Sequence, residues 1–166
     1  MKIKYIVYGV FKDHREYREY YDLIIADEGL ALIYLGRLPI VPKKHPSLSK
    51  HIEKQLLEIA KRKQRPKYSN PQALQELLKR SNGIFLPQEV IVCINIIDTT
   101  IPLPPILRKP SPRNREKSRN SIRILRLDIF FEFQNTIQTI SLYTTLKLKN
   151  KLKIVLKETG YYTALD

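Results

Sequence analysis

Residues 125–133 read Leu-Arg-Leu-Asp-Ile-Phe-Phe-Glu-Phe, and residues 140–148 read Ile-Ser-Leu-Tyr-Thr-Thr-Leu-Lys-Leu. In the first, Leu125, Leu127, Ile129, Phe131 and Phe133 alternate with Arg126, Asp128, Phe130 and Glu132. In the second, Ile140, Leu142, Leu146 and Leu148 alternate with Ser141, Tyr143, Thr145 and Lys147. Leu152, Ile154 and Leu156 continue the alternation against Lys153, Val155 and Lys157. A period of two puts successive side chains on opposite faces of a strand. Polar connectors fall at Gln134-Asn135-Thr136 and around Asn150. The pattern predicts a three-stranded antiparallel meander over about 122–158, with one buried face and one wet, lysine-bearing face.

Immediately before it the chain changes character. From Arg108 to Arg126 the cations Arg108, Lys109, Arg113, Arg115, Lys117, Arg119, Arg123 and Arg126 meet a single anion, Glu116. Between Arg108 and Ser121 there is almost no apolar side chain, too little burial to offset the entropy of ordering. A disordered basic loop is expected at about 105–121, held only by a polyanion. Pro102, Pro104, Pro105 and Pro110 make the approach to it stiff and extended.

Upstream, Val90–Ile97 is apolar on both faces and is expected as a central strand. Asn70-Pro71 places a cap and then a first-turn proline before Leu74, Leu77 and Leu78, which predicts a helix over 71–81 ending near Gly83. Leu48, Ile52, Leu56 and Ile59 mark one face of another helix, about 47–64, with Lys61, Arg62, Lys63, Arg65 and Lys67 at and beyond its tail. Lys2–Phe11 reads as a strand with Gly9 a bulge point. The following stretch has two readings. Asp13-His14-Arg15-Glu16 has capping-box spacing before Tyr17, Tyr20, Tyr21 and Ile24, which favours a helix. Leu23–Ala26 and Leu30–Leu35 around Asp27-Glu28-Gly29 instead resemble a hairpin. The helix is preferred, and the expected fold is a single α+β domain over 1–166, a mixed sheet with two packed helices and the meander.

The chain has 30 basic and 16 acidic residues, a net charge of +14, so a polyanionic or acidic partner is expected. The excess is clustered: residues 42–81 hold eleven cations and three anions, and residues 105–126 hold eight and one. Nucleic acid fits such clustering best, RNA ahead of DNA because arginine also stacks on unpaired bases. The expected contacts are Arg108, Lys109, Arg113, Arg115, Lys117, Arg119 and Arg123 in the arm, with Lys61, Arg62, Lys63, Arg65 and Lys67 on the helix tail.

Catalytic signals are thin. Asp128 and Glu132 share a strand face but lie roughly 13 Å apart at strand rise, too far for one ion. His14, His45 and His51 are the only histidines and have no ligand spacing. The glycines are too scattered for a phosphate loop. Cys93, alone, excludes an intrachain disulfide and reads as a small core residue. The Tyr17, Tyr20 and Tyr21 cluster reads as half-buried rings with hydroxyls at the edge. No cofactor or metal is expected, and no stretch is apolar enough for a membrane span. The sequence thus points to a sequence-tolerant nucleic-acid-binding protein of an intracellular compartment, an accessory or subunit of a nucleoprotein assembly, with the balance against an enzyme and that question open. The alternatives are a small nuclease, metal-dependent or histidine-based, and a structural subunit whose basic patches meet acidic protein or membrane surfaces.

Overall fold

A computed structural model describes residues 2–14, 16–39, 68, 70–80, 82–102 and 121–161. They form one seven-stranded sheet, and every register-defined pair is antiparallel. The strands are β1 (Ile3–Asp13), β2 (Tyr17–Ala26), β3 (Gly29–Pro39), β4 (Ile84–Pro87), β5 (Ile91–Pro102), β6 (Ser121–Phe133) and β7 (Thr136–Thr144). Helix α1 (Pro71–Arg80) lies between β3 and β4, and α2 (Lys149–Glu158) follows β7. The spatial order is β4-β3-β2-β1-β7-β6-β5.

This corrects the α+β expectation. The stretch from Asp13 is not a helix: β2 and β3 form a hairpin from Tyr17↔Pro39 down to Ala26↔Gly29. Its residues explain why. Tyr21, Leu23 and Ile25 join the main core, while Ile24 belongs to a second cluster on the other face. Residues 21–26 are therefore all buried, which a strand between two covered faces allows and a one-sided helix does not. Residues 90–97 are also displaced from expectation, because β5 is an edge strand. Its edge is partly covered: the Ile94 amide donates to the Tyr161 carbonyl at 3.0 Å. The approach expected as stiff and extended begins inside β5, which runs to Pro102, and Cys93 is only half-buried.

The meander is correct for two strands and wrong for the third. β6 and β7 pair from Leu125↔Thr144 to Phe133↔Thr136 around the turn at Gln134 and Asn135. Residues 146–158 then form a 3-10 turn and α2. Leu152, Val155 and Leu156 are buried while Ile154 is 59% exposed, so the working period is helical. Leucine and lysine are good helix formers, and Thr145 Oγ1 accepts the Lys147 amide at the start. At the other end the Gly160 amide donates to the Lys157 carbonyl (3.1 Å) and the Tyr161 amide to the Leu156 carbonyl (3.0 Å). With Gly160 at φ +75° this is a Schellman stop.

The main core draws Leu86 from β4 and Ile94 from β5, strands at opposite ends of the order, together with Leu152 and Leu156 from α2. One cluster can contain all of these only if the sheet curls around α2. On the outer face Leu74 of α1, with Tyr68 ahead of that helix, covers Ile24, Ala31 and Ile33. Helix α1 is the expected one, with Asn70 Oδ1 accepting the Gln72 amide at 3.0 Å. The helix expected at 47–64 lies outside the described residues, as do His45 and His51.

Two local features pin the register. At the Val7/Val10 bulge, Gly9 (φ +69°) donates its amide to buried Asp22 Oδ1 at 2.9 Å, and Tyr68 Oη donates to Asp22 Oδ2 at 2.7 Å. At Gly29 (φ +152°) a Cβ would run into the Leu86 carbonyl on β4. Gly29→Ala is expected to destabilise by about 1–3 kcal/mol, read from urea midpoints. Gly36→Ala is the control: its φ is also +152°, but no atom lies within 4 Å of the added carbon. The smaller loss there isolates the β3–β4 clash.

Tyr161 ties the end of α2 to the β2–β3 turn, its hydroxyl donating to the Ala26 carbonyl at 2.8 Å. Burial, with Asp27, Glu28 and Glu89 nearby, pushes its phenol up from 10.0 to about 12. A raised acid binds its proton more tightly in the folded state, so this contribution is complete below about pH 10 and lost as pH rises toward 12. Thermal melts of the native protein should fall more steeply across that window than those of Tyr161→Phe.

Candidate nucleic-acid interface

The two cation-rich excursions leave the sheet at opposite ends. Asp13↔Arg18 and Tyr17↔Pro39 lie at one end of β1, β2 and β3; β7 runs antiparallel to β1 from Phe11↔Tyr143, so the start of β6 and the Pro102↔Ser121 pair lie toward the other end. The chain therefore leaves the sheet at Pro39 at one end, and leaves at Pro102 and returns at Ser121 at the other. Residues 40–67 and 103–120, joined to these positions, carry fifteen of the 30 basic residues and three of the 16 acidic ones. Most of the net +14 thus lies in the two segments that leave the sheet.

Of the expected phosphate contacts, Arg123 is described. It lies on β6 opposite Thr100, its side chain 72% exposed, with Nη2 3.8 Å from Asp98 Oδ2. At that length and exposure the pair contributes little, and the guanidinium stays open to other anions. Lys149 Nζ approaches the same carboxylate oxygen more closely, at 2.9 Å. Lys61, Arg62, Lys63, Arg65, Lys67, Arg108, Lys109, Arg113, Arg115, Lys117 and Arg119 lie outside the described residues.

Where β1 and β7 overlap, the sheet carries a row of side chains that the sequence did not reveal as a unit. Tyr20 on β2 faces Phe11 on β1, Phe11 faces Tyr143 on β7, and Tyr143 faces Arg126 on β6. Directly paired residues share a sheet face, so all four lie on the outer face, opposite Val10, Tyr21, Leu125 and Leu142 of the core. The Phe11 ring is 5.5 Å from Tyr143, nearly parallel at 22°, and 5.6 Å from Tyr20. Arg18 sits 4.9 Å over Phe11 and is held by Asp13 Oδ1 at 2.8 Å. Arg126 is held by Asp128 Oδ2 through Nε (3.1 Å) and Nη2 (2.9 Å), while Ser141 Oγ donates to Asp128 Oδ1 at 2.7 Å. Burial pushes the Tyr20 phenol up, against the opposing pull of Arg18.

A second polar group sits beyond Tyr21 on the inner face. Glu19 Oε2 accepts from Tyr21 Oη at 2.9 Å and lies 3.2 Å from His14 Nε2. His14 stacks on Tyr17 at 4.4 Å, Arg37 covers the other Tyr17 contact at 3.6 Å, and Lys12 lies 5.2 Å over Tyr21. Burial alone would raise the Glu19 carboxyl, but the Tyr21 and His14 hydrogen bonds and the His14 and Lys12 charges hold it below the ordinary range. Burial and Glu19 push the Tyr21 phenol up. The tyrosine cluster thus divides by face, with Tyr21 buried inside and Tyr20 half-buried outside.

Asp128 has its oxygens turned to Arg126 and Ser141, not toward Glu132. Among the described residues no three His, Cys, Asp or Glu side chains converge as a metal site would require. No helix among them is long and apolar enough to cross a membrane. No protein-family model, curated protein or solved structure matches the chain.

Proposed function

We propose that the protein binds nucleic acid with little sequence preference, as an accessory or subunit of a nucleoprotein assembly, RNA ahead of DNA. One observation carries this reading: fifteen of the 30 basic residues and three of the 16 acidic ones lie in residues 40–67 and 103–120, the two segments that leave the sheet at Pro39 and between Pro102 and Ser121. Two such cation-rich segments neutralise phosphates along a backbone, and counterion release then supplies most of the affinity. Arg123 follows the second of them along β6. Lysine-reactivity footprinting with and without RNA tests the reading. Lys61, Lys63, Lys67, Lys109 and Lys117 should be protected together, while Lys157, at the far end of α2, should stay reactive. Equal reactivity with and without RNA would count against it.

A second reading, metal-free RNA cleavage, has the His14–Glu19 pair with Lys12 and Arg37 in its favour. Those side chains are of the kinds that move protons and stabilise a charged phosphoryl group. Against it, His14 and Glu19 face each other, whereas in-line displacement needs acid and base on opposite sides of the phosphate. Cleavage that persists in EDTA and disappears in His14→Ala would establish it.

A further inference from the structure

The outer-face row gives the binding reading a substrate class. From the alignment of Tyr20, Phe11, Tyr143 and Arg126 across four adjacent strands, we infer that this face takes the unpaired bases of a single strand. The inference rests on the nucleic-acid-binding reading above. Its basis is separate, because it concerns rings and not net charge. Phosphate contacts do not distinguish single strands from duplexes. Aromatic faces do, since a base must leave its stack to lie on a ring.

Three features favour this occupant. The rings belong to three different strands of a sheet, so their positions are fixed by backbone pairing and cost little to order. They are half-buried, each retaining surface although all belong to strands. Two arginines border the row, Arg18 over Phe11 and Arg126 at its β6 end, and each is positioned by a carboxylate: Arg18 by Asp13 and Arg126 by Asp128. A guanidinium has five N–H donors, and Arg126 spends two on Asp128, leaving others for base edges or phosphates. Asp13 and Asp128 also offset the two charges locally, so the row adds stacking surface and hydrogen-bond donors while the attached basic segments supply the field. The start of β6 places Arg123 and Arg126 on one strand, one near the arm and the other in the row. A strand held by the arm therefore passes beside the rings.

The test compares three probes, each made as RNA and as DNA: a base-bearing single strand, an abasic strand of the same length and charge, and a duplex of the same length. The intact protein should bind the base-bearing strand about tenfold or more tightly than the abasic one. Phe11→Leu and Tyr143→Leu should each remove most of that advantage while leaving abasic and duplex affinity unchanged. Unchanged affinity for those probes shows that the variants are folded. Equal binding of base-bearing and abasic strands by the intact protein would overturn the inference and leave phosphate binding standing. Equal losses on all three probes in the variants would overturn it too. If the intact protein binds none of the probes, the binding reading itself fails. The RNA and DNA arms identify which polymer the site prefers.

Discussion

Leu152→Ala is expected to destabilise the protein by about 2–5 kcal/mol, and Ile154→Ala by no more than about 0.5 kcal/mol. The two side chains are similar in size and only two residues apart, so a strand would place them on one face with equal burial. In the folded chain Leu152 is fully enclosed and Ile154 is 59% exposed. Leu152 sits on α2 within the cluster that joins β4 to β5, the two edges of the curled sheet. Truncating it opens a cavity where the sheet closes on its helix, and the surrounding strands cannot collapse into that space without losing their pairing. Val155→Ala, on the buried side, should behave like Leu152→Ala at smaller scale. Urea denaturation of the three variants separates helix from strand without further structural work. Similar losses at 152 and 154 would contradict the helix and with it the curl of the sheet.

The second large effect is electrostatic. Replacing Arg108, Lys109, Arg113, Arg115, Lys117 and Arg119 with glutamine should flatten the dependence of log affinity on log salt by about 0.7 for each single-strand phosphate contact removed, or about 4 if all six make contact. Folding should be nearly untouched. Pro102 pairs with Ser121, so the arm joins adjacent strand ends and its composition does not bear on the register of β5 and β6. Matching urea midpoints for variant and native protein check that point, and parallel titrations across a salt series give the slopes. Arg123→Gln should add a further single-contact loss, because its side chain is exposed at the base of the arm and only distantly paired with Asp98.

What could be read from the sequence depended on whether one period dominated. β6, β7 and their turn were legible because large apolar residues alternate without interruption from Leu125 to Phe133. Residues 146–158 satisfied alternation and helical spacing together: Leu148, Leu152, Val155, Leu156 and Thr159 trace a helix face just as Leu152, Ile154 and Leu156 trace a strand face. Gly160 decides between them, since a left-handed glycine followed by an apolar Tyr161 is a helix stop, and that signal was present in the sequence. β2 was obscured for the opposite reason. With both faces covered, Leu23-Ile24-Ile25-Ala26 lost its alternation, and local capping-box spacing at Asp13 competed with a cross-strand Asp13–Arg18 contact. β5 looked central because it is apolar on both sides, although the fold leaves it at an edge and uses Tyr161 to occupy part of that edge.

The candidate site was legible only as charge. Clustering of cations can be counted along a chain, but where the two clusters leave the sheet depends on strand order, which no local pattern encodes. The Tyr20–Phe11–Tyr143–Arg126 row is of the same kind. Its two halves, Phe11 with Tyr20 and Arg126 with Tyr143, are separated by more than a hundred residues and meet because β1 pairs β7 at Phe11↔Tyr143. Of its rings, Tyr20 alone stood out in the sequence, and then as part of a cluster that the sheet divides between two faces.

The most direct test is a titration of fluorescent single-stranded RNA and duplex DNA with the intact protein across a salt series. Polyanion binding through the two cation-rich segments predicts tight association at low salt and a steep linear fall in log affinity with log salt. Absence of binding to either nucleic acid at low salt, or affinity that does not change with salt, would contradict it.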